Sequence, residues 1–227
     1  MATGRHIVGL GGAGDTPEQT ERLFRYVLEL TGKDRPRLLI VPTATAESDA
    51  NIATSLERFV RLADPTVLRT FPWPPDDLRS CILDQDAIWV SGGNTANMLA
   101  IWRVHGIDDL LREAWDAGVV LFGASAGMIC WFEAGVTDSF GPQLDGLRDG
   151  LCFLPGSACP HYDGEELRRP RYRELVDAGF PPGLAAEDGV GLHFEETELV
   201  EAVTCRPGAS AYRVDADGEE PVPTREL

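Results

Sequence analysis

The chain has 227 residues, 43% of them hydrophobic, with 37 acidic against 20 basic side chains and a formal net charge of −17. That length suits one domain over residues 1–227, and no repeat, low-complexity tract or Pro/Gly-rich linker divides it. The charge opposes phosphate binding over most of the surface and argues against nucleic acid as a partner; no run approaches the ~18 apolar residues of a membrane span, and the stretch after Met1 lacks the apolar core of a secretory signal. The five cysteines are odd in number and lack C-x-x-C spacing, as expected of reduced thiols and a cytoplasmic location. Cys152, Cys159 and His161 have no fourth ligand at structural-zinc spacing, so neither a metal nor a cofactor is expected.

In chain order, "RHIVGLGG" reads as a first strand running into a glycine turn. "TPEQTERLFRYVLELTG" follows as a helix, with Thr16 as cap, Pro17 at the first helical position and Gln19 completing a capping box. "RLLIVPTA" is a buried strand, "DANIATSLERFVRLA" a helix and "TVLRTF" a strand. "DAIWVSGG" is a strand ending in glycines; "NTANMLAIWRVHG" and "IDDLLREAWDAG" are helices; "VVLFG" is a strand and "SAGMICWFEAG" a helix. A charged helix from about Glu165 to Ala178 precedes a strand-rich tail. Short apolar strands alternating with helices predict a three-layer α/β/α arrangement around a mostly parallel sheet, with ligands at the carboxyl ends of the strands.

Three glycine turns lie at such ends. "GLGGAG" matches G-x-G-x-x-G, but "DTP" separates it from its helix and the second strand ends without an acid, so it reads as a flexible turn over the sheet edge and not as a dinucleotide site. "GASAG" is G-x-S-x-G between a buried strand and a helix, the context of a nucleophile elbow. A serine cap would not need glycine two residues away on both sides, so Ser125 reads as a nucleophile. "SGGNT" can aim a backbone N–H at an oxyanion, although Asn94 or Thr95 as a plain helix cap is the simpler reading of that turn alone.

A serine needs a base. His6 begins the first strand, His105 closes a helix and His193 falls within an apolar strand; His161 lies in a loop beyond a strand and is the best placed. The carboxylate that would orient it is open among Asp138, Asp163, Glu187 and Asp188.

"VSGGNTANML", "GASAGMICW", "PHYDG" and "LAAEDGVGLHF", in this order, resemble the peptidase E family of serine peptidases, which have the class I glutamine amidotransferase-like (flavodoxin-like) fold. The resemblance runs from about residue 5 to 215. It implies Ser125 as nucleophile, His161 as base and Glu187 as third member, with Asp138 or Asp188 second in rank. It places the oxyanion donors on the N–H groups of Gly93 and Ala126, and substrate binding on Arg168 and Asn94. The implied function is hydrolysis of short peptides, extending to dipeptides with N-terminal Asp, by a monomer or homodimer without membrane association. A cyanophycinase-like peptidase, another serine acyl hydrolase such as an α/β-hydrolase esterase using His193, and a non-catalytic binding protein on the same scaffold are the competing readings.

Overall fold

A computed structural model describes residues 4–227. Met1–Thr3 lie outside the described residues, as does that part of the reading of the N-terminal stretch as non-secretory. Strand β1 (His6–Leu10) leads through the first glycine turn to α1 (Pro17–Glu29). The α1 start is the capping box expected from sequence: Gln19 N–H donates to Thr16 Oγ1 at 3.2 Å, and Thr16 N–H donates to Gln19 Oε1 at 3.1 Å. Then follow β2 (Arg37–Val41), a 3₁₀ turn (Thr43–Thr45), α2 (Asp49–Phe59), β3 (Asp64–Val67), α3 (Leu78–Leu83), β4 (Ala87–Val90), α4 (Thr95–His105), α5 (Ile107–Asp116), β5 (Val120–Ala124) and α6 (Ala126–Ile129). The remainder is β6 (Phe132–Thr137), β7 (Asp145–Leu147), β8 (Leu154–Cys159), α7 (Arg168–Asp177), β9 (Gly183–Ala186), β10 (Val190–Glu195), β11 (Glu198–Thr204), β12 (Ala211–Asp215), β13 (Gly218–Val222) and β14 (Thr224–Glu226).

The first sheet has eight strands in the order β14-β11-β10-β1-β5-β4-β2-β3. Its half from β1 to β3 is parallel, and β10 joins it antiparallel to β1. Side-chain alternation divides each central strand between two cores. Ile7, Leu39, Val41, Ile88, Val90 and Leu121 face α4 and α5, against Met98, Trp102, Leu111 and Trp115. Val8, Leu38, Ile40, Trp89 and Phe122 face α1 and α2, against Leu23, Phe24, Val27 and Phe59. Full burial of each such side chain contributes about 1.5–3 kcal/mol, so both faces of the sheet are needed to hold it. This is the three-layer, mostly parallel arrangement expected from the sequence.

Helix α3 has no counterpart among the expected elements and β3 lies earlier than "TVLRTF", but two other departures bear on the site. The "SAGMICWFEAG" helix is a single turn, after which Phe132 opens a strand. Every residue from Ala126 to Phe132 is buried, so that run has no polar face to reveal a period, and helix and strand look alike in sequence. That strand begins a second sheet of six, in the order β13-β12-β9-β8-β6-β7. Here β8 pairs in parallel with both β6 and β9, and α7 packs on it through Tyr172 and Val176. The chain crosses back to the first sheet between β9 and β10, over residues 187–189. No helix among the described residues is long and apolar enough to cross a membrane.

Candidate active site

The carboxyl ends of both sheets meet at one place. Adjacent parallel strands β1, β5 and β4 deliver Gly11–Gly12, Ser125 and Gly92–Gly93 from the first sheet; β8 and β9 deliver His161 and Glu187–Asp188 from the second. Ser125, His161, Gly12, Gly92 and Gly93 line one cavity of about 390 Å³, within the range of small-ligand sites.

Ser125 sits at φ 57°, ψ −112° and its side chain makes no cap hydrogen bond to α6. A non-glycine residue in that region is strained by about 1–3 kcal/mol, and such strain persists where surrounding structure over-determines it. Here the determinants are backbone bonds: Ser125 N–H donates to the Leu10 carbonyl at 3.1 Å, and its own carbonyl accepts from Met128 and Ile129. The flanking glycines answer to packing against β4. A Cβ on Gly123 would stand 2.6 Å from the Val90 carbonyl oxygen, and one on Gly127 would overlap that same oxygen. The turn is therefore pressed against β4, and the serine hydroxyl is left on the open side.

Gly93, at φ 135°, is a position where a side chain is excluded twice: the dihedral disfavours it, and a Cβ would overlap the Ala44 carbonyl oxygen. Among the described residues the N–H groups of Gly93 and Ala126 have no hydrogen-bond acceptor, whereas the next N–H in the β4 turn, that of Asn94, donates to Ala44 at 2.8 Å. The side chain of Asn94 does not line the cavity. Its Oδ1 caps α4 by accepting from Asn97 N–H at 2.8 Å, and its Nδ2 donates to the Ser139 carbonyl at 3.0 Å. The plain cap reading of Asn94 is the one the structure supports, in place of a substrate contact.

His161 also has a left-handed backbone, φ 54°, held by donation of its N–H to the Gly11 carbonyl at 3.1 Å. Its Nδ1 lies 2.6 Å from Asp188 Oδ1. Glu187 does not reach the histidine: its carboxylate accepts from Ser210 N–H at 2.9 Å and from the Tyr212 hydroxyl at 3.2 Å, pointing into the second sheet. The expected assignment of Glu187 to the histidine is thereby corrected to Asp188. The chain turns immediately after β9, closed by donation of Val190 N–H to the Glu187 carbonyl at 3.1 Å, and the turn sends one acid inward and the next toward the site. Asp138 is exposed and bonds no histidine. Asp163, another sequence candidate, accepts the Asp188 N–H at 2.9 Å and pairs with Arg206. Partial burial opposes its charge, but the Arg206 guanidinium outweighs this and holds the Asp163 carboxyl below its ordinary value. It acts as a brace for the Asp188 backbone.

The first glycine turn has a role the sequence did not reveal. A Cβ on Gly12 would overlap Asp188 Oδ1 and stand 2.9 Å from His161 Nδ1. The turn read as a flexible cover is the wall against which the His161–Asp188 pair is packed, and only glycine leaves room for it.

Arg168 is also relocated. It is 3% exposed, donates through Nε to Glu165 at 2.8 Å and through Nη1 to the Val136 carbonyl at 2.9 Å, and is absent from the cavity. It ties α7 to β6 instead of facing the cavity. Burial pushes the Cys159 thiol up to about 12, so it stays protonated; among the described residues no three His, Cys, Asp or Glu side chains converge to hold a metal ion.

Peptidase family S51 matches residues 7–202. The chain belongs to this family. It is 46% identical over 213 residues to the uncharacterized peptidase YgaJ of Bacillus subtilis, covering 92% of each chain. It is 27% identical over 202 residues to peptidase E of Shewanella denitrificans, covering 85% of this chain and 84% of that one. Two crystal structures share the fold. A peptidase from an acI-B1 Actinobacterium has TM-score 0.69 at 15% identity, over 97% of this chain and 95% of the other. A putative peptidase E protein from Listeria monocytogenes has TM-score 0.65 at 16% identity, over 87% and 98%. The protein is a serine-type peptidase, a hydrolase of the peptidase E family.

Proposed function

We propose that Ser125, His161 and Asp188 form the catalytic triad of this S51 peptidase, and that it cleaves short peptides, among them dipeptides with N-terminal Asp. The observation that carries the reading is the convergence in one cavity of a serine on a strained turn and a histidine whose other ring nitrogen is occupied by a carboxylate. With Nδ1–H donating to Asp188, Nε2 is the nitrogen free to take the Ser125 proton, and the carboxylate stabilises the imidazolium that results. The attacking Oγ converts the scissile carbonyl to a tetrahedral intermediate whose oxyanion is met by the unused N–H groups of Gly93 and Ala126. His161 then returns the proton to the leaving amine, and water repeats the sequence to release the acyl group.

The test is Ser125→Ala. Removing a triad member leaves only binding and oxyanion stabilisation, so kcat on a hydrolysed short peptide should fall by about a thousandfold or more. A fluorophosphonate should label the wild-type chain at Ser125 and spare the variant. Near-wild-type turnover in Ser125→Ala would overturn the assignment.

A further inference from the structure

Asn51, Thr54, Ser55 and Arg58 recur on α2 at i, i+3, i+4 and i+7, so they share one face of the helix. All four line the cavity that holds Ser125 and His161. A surface helix ordinarily turns its polar residues to open water. Here Asn51, Thr54 and Arg58 are exposed and Ser55 is buried, and together they border the mouth of a cleft also lined by Leu23 and Phe24 of α1 and Trp89 of β4. The Thr54 hydroxyl is satisfied within the helix, donating to the Ala50 carbonyl at 2.9 Å. Among the described residues the side chains of Asn51, Ser55 and Arg58 have no hydrogen-bond or ion-pair partner.

Among the described residues Arg61 and Arg213 also lack a partner, but neither lines the cavity that holds Ser125, and Arg58 does. The four arginines of α7 are each tied to a carboxylate: Arg168 to Glu165, Arg169 to Glu219, Arg171 to Glu174 and Arg173 to Asp177. Arg58 stands where the cavity joins a second one of about 510 Å³ that runs outward between α1 and α2, and it lines both. The outer part also carries Arg61, Asp15, Glu21 and Glu57. Glu21 is engaged by Arg25 at 2.6 Å, and Asp15 lies 3.7 Å from Arg206. A cation without a protein partner, in a cleft leading to a reactive serine, is set for an anion brought by the ligand. The guanidinium would bind a carboxylate through two parallel hydrogen bonds.

Building on the Ser125-centred reading, we propose that Arg58, with Asn51 and Ser55 as further donors, binds a carboxylate of the peptide substrate, so that specificity is set from α2. Two carboxylates have this chemistry: the side chain of an acidic N-terminal residue and the C-terminus of a short peptide. Calorimetric titration of the Ser125→Ala variant, with and without Arg58→Met, against Asp-Leu, Ala-Leu and Asp-Leu-amide separates them without requiring turnover. The expected result is a Kd for Asp-Leu at least ~30-fold weaker without Arg58, with Arg58→Lys in between. A parallel loss on Asp-Leu-amide but not on Ala-Leu assigns the side-chain carboxylate; a parallel loss on Ala-Leu but not on the amide assigns the C-terminus. Kd values within threefold for all three peptides, or no measurable binding of any, overturn the proposal. Because Ser125→Ala turnover is read separately, such a failure leaves the triad assignment standing.

Discussion

Two histidines lie in acid-containing networks, and their surroundings make opposite use of the same ring. His161 is at a loop beyond a strand end, its side chain 25% exposed, with one nitrogen on Asp188 and the cavity beside it. His193 is buried in β10 with both nitrogens occupied: Nδ1 lies 2.7 Å from the Tyr26 hydroxyl and Nε2 lies 3.0 Å from His6 Nδ1. Tyr26 spends its one proton on Glu201, at 2.9 Å, so its oxygen accepts from His193 Nδ1–H and leaves Nε2 to accept from His6. The ring is saturated as a neutral group. Burial, reinforced by His6, pushes its pKa down to about 4. A catalytic histidine needs one nitrogen kept open; a structural one needs none. That difference disfavours an esterase-like use of His193 as base.

The comparison is broken most directly by His161→Ala. Turnover on a hydrolysed peptide should fall about a thousandfold or more with the fold intact, while His193→Phe should keep activity within severalfold. The reverse ranking would make His193 the base. Next in size is the pair Asp188→Asn and Glu187→Gln. Asn at 188 should cost at least ~10²-fold in kcat because the histidine loses the partner that sets its tautomer. Gln at 187 should act chiefly on stability, by about 1–3 kcal/mol, since it weakens the acceptor of the Ser210 N–H and the Tyr212 hydroxyl. If Glu187→Gln were the more damaging to kcat, the 2.6 Å contact of Asp188 would not be the functional one.

A smaller effect sharpens the structural side. His193→Phe leaves His6 Nδ1–H without its acceptor, while the Tyr26 hydroxyl keeps Glu201, for an expected loss of about 1–3 kcal/mol by denaturant titration. An unchanged midpoint would show the network to be idle. The same network predicts a pH dependence. The folded-state pKa of His193 lies below the ordinary value of 6.5, at about 4, so the unfolded chain binds more protons in that interval. Its contribution to stability is complete above about 6.5 and is lost as pH falls toward 4, by at most ~3 kcal/mol. Denaturation midpoints measured across this interval should decline toward acid in wild type and decline less in His193→Phe.

Much of this was legible in the sequence because it rests on short-range chemistry. The cap at Thr16, the parallel core strands, the G-x-S-x-G turn and the loop histidine all follow from patterns within a dozen residues. What escaped depends on where distant segments meet. Glu187 and Asp188 differ by one position, and only the crossover between sheets decides which faces His161. The arginines of "LRRPRYREL" look like a binding cluster until the carboxylates at Glu165, Glu174, Asp177 and Glu219 are found beside them. Arg58, isolated in sequence, gains meaning only from the cavity in front of α2. Gly12 reads as turn material until the Asp188 carboxylate is seen in the space its side chain would fill.

Ser125 and His161 follow strands of different hydrogen-bonded sheets, joined near the site by the bond from His161 N–H to Gly11 and by the chain's return over residues 187–189. One hydrophobic cluster runs from Ile7 and Leu121 of the first sheet to Ala158 and Leu184 of the second, and it is this shared packing that sets the spacing of the two groups, where a displacement of an ångström would separate an attacking oxygen from its proton acceptor. On the Ser125–His161 reading, turnover should therefore fail before secondary structure does under mild denaturation, because the packing between the sheets, and not the ladder of either one, holds the two groups at their working distance.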